Sequence, residues 1–291
     1  MNQVRAIAVN TFKEAVRNRV LYVVLIFSLI LIGASGVLSE LTVASRDKIV
    51  KDLGFAAINF FGVAIAIFVG VTLVYNELEK RTIYTLVSKP IHRWQFLLGK
   101  YFGLLMTIYV NVVVMSVFFL FVIHWYAAME AERGVFTTFF LSAAKALVGL
   151  LWWDGFPPTR NIMPVVAATA IELAIVTAFS ILYSAFSTPT LSMFFTVLTF
   201  IAGRLNEDIV LFAENVRDTA LETGTPLPLS YYLAQGAAHV TPNLGVFHQS
   251  VEQALYADEV TIWWQSILYG LIYTSAILLL SMLIFSRRNF K

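Results

Sequence analysis

Long uncharged apolar stretches alternate with short polar segments along the whole chain. A helix needs roughly 20 apolar residues to cross the hydrocarbon core of a bilayer. An isolated run of that length satisfies its backbone hydrogen bonds in lipid only as a helix. Six runs fit this pattern: Val20–Leu38, Gly54–Tyr75, Tyr101–Ile123, Val165–Phe186, Pro189–Gly203 and Trp263–Phe285. The sequence therefore predicts an all-α polytopic membrane protein with six transmembrane helices.

Composition supports this class. Hydrophobic residues make up 59% of the chain and charged residues 13%, whereas soluble domains carry about 25% charged residues. The absence of cysteine excludes disulfides, thiolate catalysis and zinc–thiolate sites. The fifth run is short, and we expect its helix to extend through Leu205 towards Phe212 or to tilt little in the membrane.

The distribution of charge predicts the orientation. With six crossings, one side of the membrane carries Met1–Arg19, Asn76–Lys100, Ser187-Thr188 and Ser286–Lys291. These segments hold 12 Lys and Arg and 3 acids, and the opposite segments hold 8 Lys and Arg and 14 acids. Because cytoplasmic loops are enriched in Lys and Arg, both termini are predicted to be cytoplasmic.

A seventh apolar run, Val135–Trp153, is interrupted by Lys145. A crossing here would put Arg288 and its neighbours on the acidic side. We therefore favour an interfacial helix with Trp152 at headgroup depth and Lys145 snorkelling to the surface. A true membrane span is the alternative interpretation.

The first residues predict an amphipathic surface helix over 1–19, ahead of a single transmembrane domain over 20–291. Its apolar face is formed at helical spacing by Val4, Ala8, Thr11, Phe12, Ala15 and Val16. A solvated tail is the alternative. The small residues Ala34-Ser35-Gly36 also allow a signal peptide, but the charged lead and the length of the first run favour a retained helix.

Two polar connections lie on the predicted cytoplasmic side. In Asn76–Lys100, the sequence Ser88-Lys89-Pro90 should break a short helix, since the residue before proline is pushed out of the α region. A basic amphipathic helix then leads into the third span. An ordinary positively charged loop is the alternative. The second connection, Ser187-Thr188-Pro189, is so tight that its two spans must be antiparallel neighbours, with Ser187 or Thr188 capping the fifth span.

On the opposite side, the segment from Gly203 to Ile262 is long, acidic and interrupted by prolines. Its later part, Val246–Tyr256, is amphipathic. It predicts a re-entrant or interfacial helix before the last span. Irregular backbone is tolerated at membrane depth only where protein buries it.

Within the spans, Glu172 is the outstanding polar residue. A charge at mid-membrane costs roughly 2.5–3.5 kcal/mol on insertion scales, so Glu172 must be protonated, paired or directed to a polar cavity. One interpretation is a residue lining a substrate path or contacting another subunit, and the other is a protonated acid bonded to a neighbouring helix. Gly99 and Gly103 form a Gly-x-x-x-Gly motif that permits close helix approach.

No catalytic or cofactor-binding motif is visible. The chain contains no Gly-x-x-x-x-Gly-Lys-Ser/Thr stretch, no His-Glu-x-x-His and no cluster of histidines. The sequence predicts a protein that is not itself an enzyme and holds no metal. An ATP-independent carrier or channel should show paired intramembrane charges or broken spans, and an intramembrane enzyme a convergent polar set.

The chain resembles the type-2 ABC exporter permeases, most closely the branch that contains the permease subunit of the nitrous oxide reductase maturation transporter. The matching stretches are Thr11–Arg19, Glu77–Ile83, Ser88–Arg93, Phe96–Lys100, Glu172–Ala178, Ser184–Pro189 and Pro242-Asn243-Leu244-x-x-Phe247. Within the second stretch, Arg81 stands where many members have Gly. The segment from Ala127 to Met163 is longer than the resemblance leads us to expect.

The resemblance implies the permease subunit of an ATP-driven exporter in a bacterial or archaeal cytoplasmic membrane. Two copies of a separate ATPase would bind ATP and Mg, and two permease copies would pair, as a homodimer, among membrane lipids and without nucleic acid. Residues 1–19 would form a connecting helix. The residues implied to couple to the ATPase are Glu77, Glu79, Arg81, Thr82, Thr85, Ser187, Thr188 and Pro189. The substrate is not implied.

Overall fold

The computed structural model describes residues 2–40, 46–79, 92–130, 142, 144, 162–248 and 263–287. In these residues we number nine helices of at least twelve residues in chain order. They are α1 (Asn2–Val16), α2 (Arg19–Glu40), α3 (Arg46–Glu79), α4 (Arg93–Glu130), α5 (Ile162–Ser184), α6 (Pro189–Arg204), α7 (Asn206–Thr223), α8 (Leu229–Val240) and α9 (Trp263–Arg287). The described part of the chain contains no strand, and the predicted all-α class is confirmed.

Five helices are long and apolar enough to cross a membrane, namely α2, α3, α4, α5 and α9. They match five of the six predicted runs, although Val165–Phe186 extends two residues past the end of α5. α3 and α4 are the longest, with 34 and 38 residues, so they extend past an apolar layer of about 30 Å. The polytopic prediction is confirmed for these helices.

The predicted span Pro189–Gly203 forms α6, which has 16 residues. At 1.5 Å per residue it is about 24 Å long, which is short for a bilayer. One residue, Leu205, separates α6 from α7. The helical path therefore continues towards Phe212, and Val210, Leu211 and Phe212 are exposed on α7.

The packing of the helix ends shows that the chain crosses the bundle between α5 and α9. The ends of α3, α5 and α9 meet the start of α4 around one small cavity lined by Val74, Lys100, Ala185 and Phe285. Arg93 also donates a hydrogen bond to the carbonyl oxygen of Ser286 at 2.8 Å. Because α9 starts at the far end of the bundle, the segment that includes α6 must run from one end to the other.

The core lies between α3, α4 and α5, and α5 also packs against α6 and α9. Glycines allow the close approach of α3 and α5. A Cβ at Gly62 would lie 2.7 Å from Leu173, and one at Gly70 would lie 2.6 Å from the hydroxyl of Ser180. Small residues permit such backbone contact where lipid supplies no hydrophobic driving force.

The predicted N-terminal amphipathic helix is present as α1. Thr11 and Ala15 are fully buried, and α1 packs mainly against α4. The division of the chain into a connecting helix over 1–19 and one transmembrane domain over 20–291 stays a prediction.

The segment before the last span is described up to residue 248. Leu244 and Phe247 are almost completely buried, and the amide of Asn243 donates to the hydroxyl of Tyr269 at 2.7 Å. Tyr269 lies five residues into the candidate span of α9, about 8 Å along its axis. Residues 242–248 therefore pack against a membrane helix, while the rest of the predicted element, through Tyr256, lies outside the described residues.

The seventh apolar run, Val135–Trp153, lies outside the described residues except at positions 142 and 144. Whether it is an interfacial helix or a span stays a prediction.

Candidate functional site

The basic end of the bundle is the first candidate site. We use this name for α1, the start of α2, the end of α3, the start of α4, the turn between α5 and α6, and the last turn of α9. Its described side chains include the cations Arg5, Lys13, Arg17, Arg19, Arg93 and Lys100. The described parts of the segments predicted to lie on one side of the membrane are thus brought together in space.

We call the contact of α1 with α4 the seat of α1. This contact depends on Gly99 and Gly103, the two glycines of the Gly-x-x-x-Gly motif. A Cβ at Gly99 would lie 2.6 Å from Ile7, and a Cβ at Gly103 would lie 2.6 Å from the backbone oxygen of Ala8. Real Cβ atoms are essentially never found at such distances, so neither position has room for a side chain, and at Gly103 the backbone of α4 lies against the backbone of α1. This motif has the packing role that its spacing allowed.

An ion pair reinforces the seat. Lys100 Nζ lies 3.5 Å from Oε2 of Glu14, with the lysine side chain 2% exposed and the glutamate 40% exposed. Lys100 also lines the small cavity beside Ile181 and Ala185. The surface helix is therefore connected, through one lysine, to the end of α5 just before the turn into α6.

The turn between α5 and α6 is short and well bonded. The amide of Ser187 donates to the carbonyl of Tyr183 at 2.9 Å, and the hydroxyls of Tyr183 and Thr199 lie 2.7 Å apart across the two helices. Thr188 is the N-cap of α6 and Pro189 its first residue. The antiparallel pairing and the cap position match the prediction, but the Thr188 side chain makes no capping hydrogen bond.

Because that bond is missing, Thr188→Ala is expected to change the free energy of unfolding by less than about 0.5 kcal/mol. Thermal unfolding in detergent measures this. Asn206→Ala is the matched control: the Asn206 amide donates to Ala238 and Thr241, and its loss should cost about 1–3 kcal/mol. Equal losses in the two variants would contradict the assignment.

The structure describes only some of the remaining residues predicted to couple to the ATPase. The described backbone of α3 includes Glu77 and ends at Glu79. The side chains of these two residues are not among those described. Arg81, Thr82 and Thr85 lie outside the described residues. The end of α3 and the α5–α6 turn share the basic end, and the coupling role of all these residues stays a prediction.

The second candidate site surrounds Glu172, which is 2% exposed on α5. Its Oε1 lies 2.9 Å from Nε of Arg204, as an ion-pair contact outside hydrogen-bond alignment. Its Oε2 accepts hydrogen bonds from Nη2 of Arg204 at 3.2 Å and from Nδ2 of Asn59 at 2.7 Å. The carboxylate thus joins three helices, α3, α5 and α6.

Depth explains why these partners are needed. Glu172 lies eight residues past Pro164, where the candidate span of α5 starts, about 12 Å along the helix. An unpaired carboxylate there would be costly, because no water replaces its hydration. Of the two interpretations of Glu172, this pairing within one chain corresponds to an acid bonded to a neighbouring helix, and its partner is Arg204. Whether Glu172 also lines a path or contacts a subunit stays a prediction.

Asn59 and Arg204 were not predicted from the sequence as partners of Glu172. Arg204 was counted only as a cation of the acidic side, although it directly follows the apolar run of α6. A buried acid needs a partner, and a lone cation at the end of a neighbouring helix was the signal for it. Asn59 had no comparable signal, since an isolated Asn in a span often bonds to its own helix.

These features define a polytopic membrane protein whose basic end gathers a surface helix, an interhelical turn and the end of a long span. The family model described as ABC-2 family transporter protein matches residues 5–290, and the chain belongs to this family. Membership makes it the transmembrane permease subunit of an ABC transporter, and it implies a partner ATPase subunit. No curated protein matches the chain.

Proposed function

We propose that this permease is an ATP-driven exporter subunit that works as a homodimer with two copies of a separate ATPase. Its basic end faces the cytoplasm of a bacterial or archaeal cell, and both termini lie on that side of the inner membrane. The permease branch is the one containing the subunit of the nitrous oxide reductase maturation transporter. ATP and Mg are bound by the ATPase and not by this chain.

One observation carries the proposal: α1, the end of α3 and the α5–α6 turn converge at the basic end. An ATPase seated there would push on all three at once. The tight turn would pass that movement directly to α5 and α6, since Tyr183 and Thr199 connect the two helices. Positive charge at this end agrees with a cytoplasmic face.

Co-expression with an ABC ATPase subunit from the same genome tests the proposal. We expect the two proteins to purify together in mild detergent and the complex to hydrolyse ATP faster than the ATPase alone. A paired charge and a broken helix also occur in ATP-independent carriers. Purification of the chain without any nucleotide-binding subunit, and without effect on hydrolysis, would favour that class instead.

Replacing Glu77 and Glu79 together by Ala should lower permease-stimulated ATP hydrolysis by about tenfold, because charged contacts at a docking surface fix its register. Membrane insertion should be unchanged. The matched control is Glu214→Ala with Glu222→Ala, which removes two exposed charges from α7. Stimulated hydrolysis at the parental rate in the E77A/E79A variant would remove these residues from the interface.

A further inference from the structure

Residues 203–248 form a unit with its own hydrogen bonds, which we call the hairpin unit. The amide of Leu244 donates to the carbonyl of Gly203 at 2.9 Å. Asn206, at the start of α7, donates to the carbonyl of Ala238 and the hydroxyl of Thr241, each at 2.9 Å, at the end of α8. The beginning and the end of the unit are therefore held together, and α7 packs along α8.

The hairpin unit contacts the bundle where α6 ends. Arg204 joins it to Glu172 on α5, and two tyrosines of α9 add neutral hydrogen bonds. The Tyr269 hydroxyl accepts from Asn243, and the Tyr273 hydroxyl donates to the carbonyl of Val240. Beneath these contacts Leu244 is 1% exposed, so the closed unit shields that side chain from water.

The two partners of the ion pair differ in a way that suits release. The Glu172 side chain is 2% exposed, whereas the Arg204 side chain is 22% exposed. Long cationic side chains near a helix end can turn towards the membrane surface. Arg204 also precedes Leu205, the single residue at which α6 gives way to α7. The arginine is thus the partner able to move.

Glu172 has a second hydrogen-bond donor that does not belong to the hairpin unit. Asn59 on α3 donates to Oε2 at 2.7 Å, and α3 packs closely on α5 through Gly62 and Leu173. Without Arg204, Glu172 keeps the hydrogen bond from Asn59 on Oε2 and loses the ion-pair contact on Oε1. A buried ion pair is directional and costly to break halfway, which favours two discrete positions.

We propose that the Arg204–Glu172 ion pair is a releasable fastening that holds the hairpin unit closed, with Asn59 as the residue that positions Glu172. The opening of the unit in the transport cycle rests on the proposed function. The existence of the fastening does not, because it depends only on contacts within this chain.

Single-cysteine labelling tests both parts, since the natural chain contains no cysteine. Leu244→Cys places a reporter on the buried side of the hairpin unit, and a membrane-impermeant maleimide measures how often water reaches it. Ser230→Cys, on exposed α8, is the control that should label rapidly in every state. Ala178→Cys, fully buried in α5, should not label.

In the first arm, the chain alone is labelled in membranes. In the L244C background, Glu172→Gln and Arg204→Gln should each raise the labelling rate by at least about tenfold. Arg204→Lys, which keeps the charge, should label more slowly than Arg204→Gln. Labelling of L244C that is unchanged by both neutral variants would overturn the fastening. Should Arg204→Gln fail to fold, Glu172→Gln, which keeps size and hydrogen bonding to Asn59, still decides.

In the second arm, L244C with the native ion pair is labelled in complex with the ATPase, without nucleotide and with ATP plus vanadate. Release predicts that one nucleotide state labels at least about fivefold faster than the other. Suppose that the neutral variants label faster in the first arm but the two nucleotide states label at equal rates in the second. The ion pair would then hold the hairpin unit closed throughout the cycle, and its release would be overturned. If the chain does not stimulate the ATPase at all, the proposed function fails, and the first arm still judges the fastening.

Discussion

Replacing Arg204 by Met while Glu172 stays in place is expected to lower the apparent melting temperature of the purified chain by roughly 10 °C. The physical reason is the carboxylate left behind. Glu172 is 2% exposed, and without Arg204 the charge of its carboxylate is left unpaired. Removing one partner of a buried pair costs about 3–5 kcal/mol because the other charge is then uncompensated.

The double variant E172M/R204M is the control that separates pairing from packing. Two apolar side chains of similar volume should restore most of the melting temperature, since replacing a whole buried pair by hydrophobic residues is often neutral. Size-exclusion chromatography after heating provides the measurement. A double variant that is no more stable than R204M alone would show that the ion pair does not determine stability at this position.

The second large effect is expected from Gly103→Leu at the contact between α1 and α4. Even a Cβ at this position would lie 2.6 Å from the backbone oxygen of Ala8, and a backbone atom cannot move aside as a side chain can. We expect α1 to leave its seat and permease-stimulated ATP hydrolysis to fall by about tenfold, at a packing cost of about 1–3 kcal/mol.

A cysteine at Thr11, which is fully buried on the face of α1 that contacts Gly103, reports the position of the helix directly. It should react slowly with a maleimide in the parent chain and rapidly beside Gly103→Leu. Gly236→Ala is the matched glycine control, because a Cβ at Gly236 would meet nothing within 4 Å. Slow labelling of Thr11→Cys in the G103L background would mean that α1 tolerates the bulk.

Much of the fold could be predicted because lipid leaves the backbone few choices. Runs such as Val165–Phe186 are apolar for most of their length, and only a helix can satisfy them in a bilayer. The amphipathic face of α1, on which Thr11 and Ala15 are buried, could also be predicted from the spacing of its apolar residues. One side of a surface helix must be apolar to pack.

The break at the end of the fifth predicted span was less accessible to sequence analysis. α6 ends at Arg204 and α7 begins at Asn206, with Leu205 between them. Leucine is a good helix former, so local preference gives no reason to interrupt the helix there. The termination depends on tertiary contacts, including the hydrogen bond from Leu244 to Gly203, which link residues far apart in the sequence.

The partners of Glu172 show the same limit. The cost of a buried charge predicted that a partner existed, but not that Arg204, 32 residues away, would provide it. Asn59 is 113 residues away on α3. Which polar residues meet is decided by helix packing, through close contacts such as Gly62 with Leu173, and one sequence does not reveal that packing.

The most direct test of the account is the location of the α5–α6 turn relative to the membrane and the ATPase. Thr188 is exposed at the turn, and Ser230 is exposed on α8. An impermeant maleimide should label Thr188→Cys only in inside-out vesicles and Ser230→Cys only in right-side-out vesicles. Bound ATPase should protect Thr188→Cys alone. Labelling of both cysteines from the same side, or full reactivity of Thr188→Cys in the assembled complex, would contradict a permease driven through its basic end.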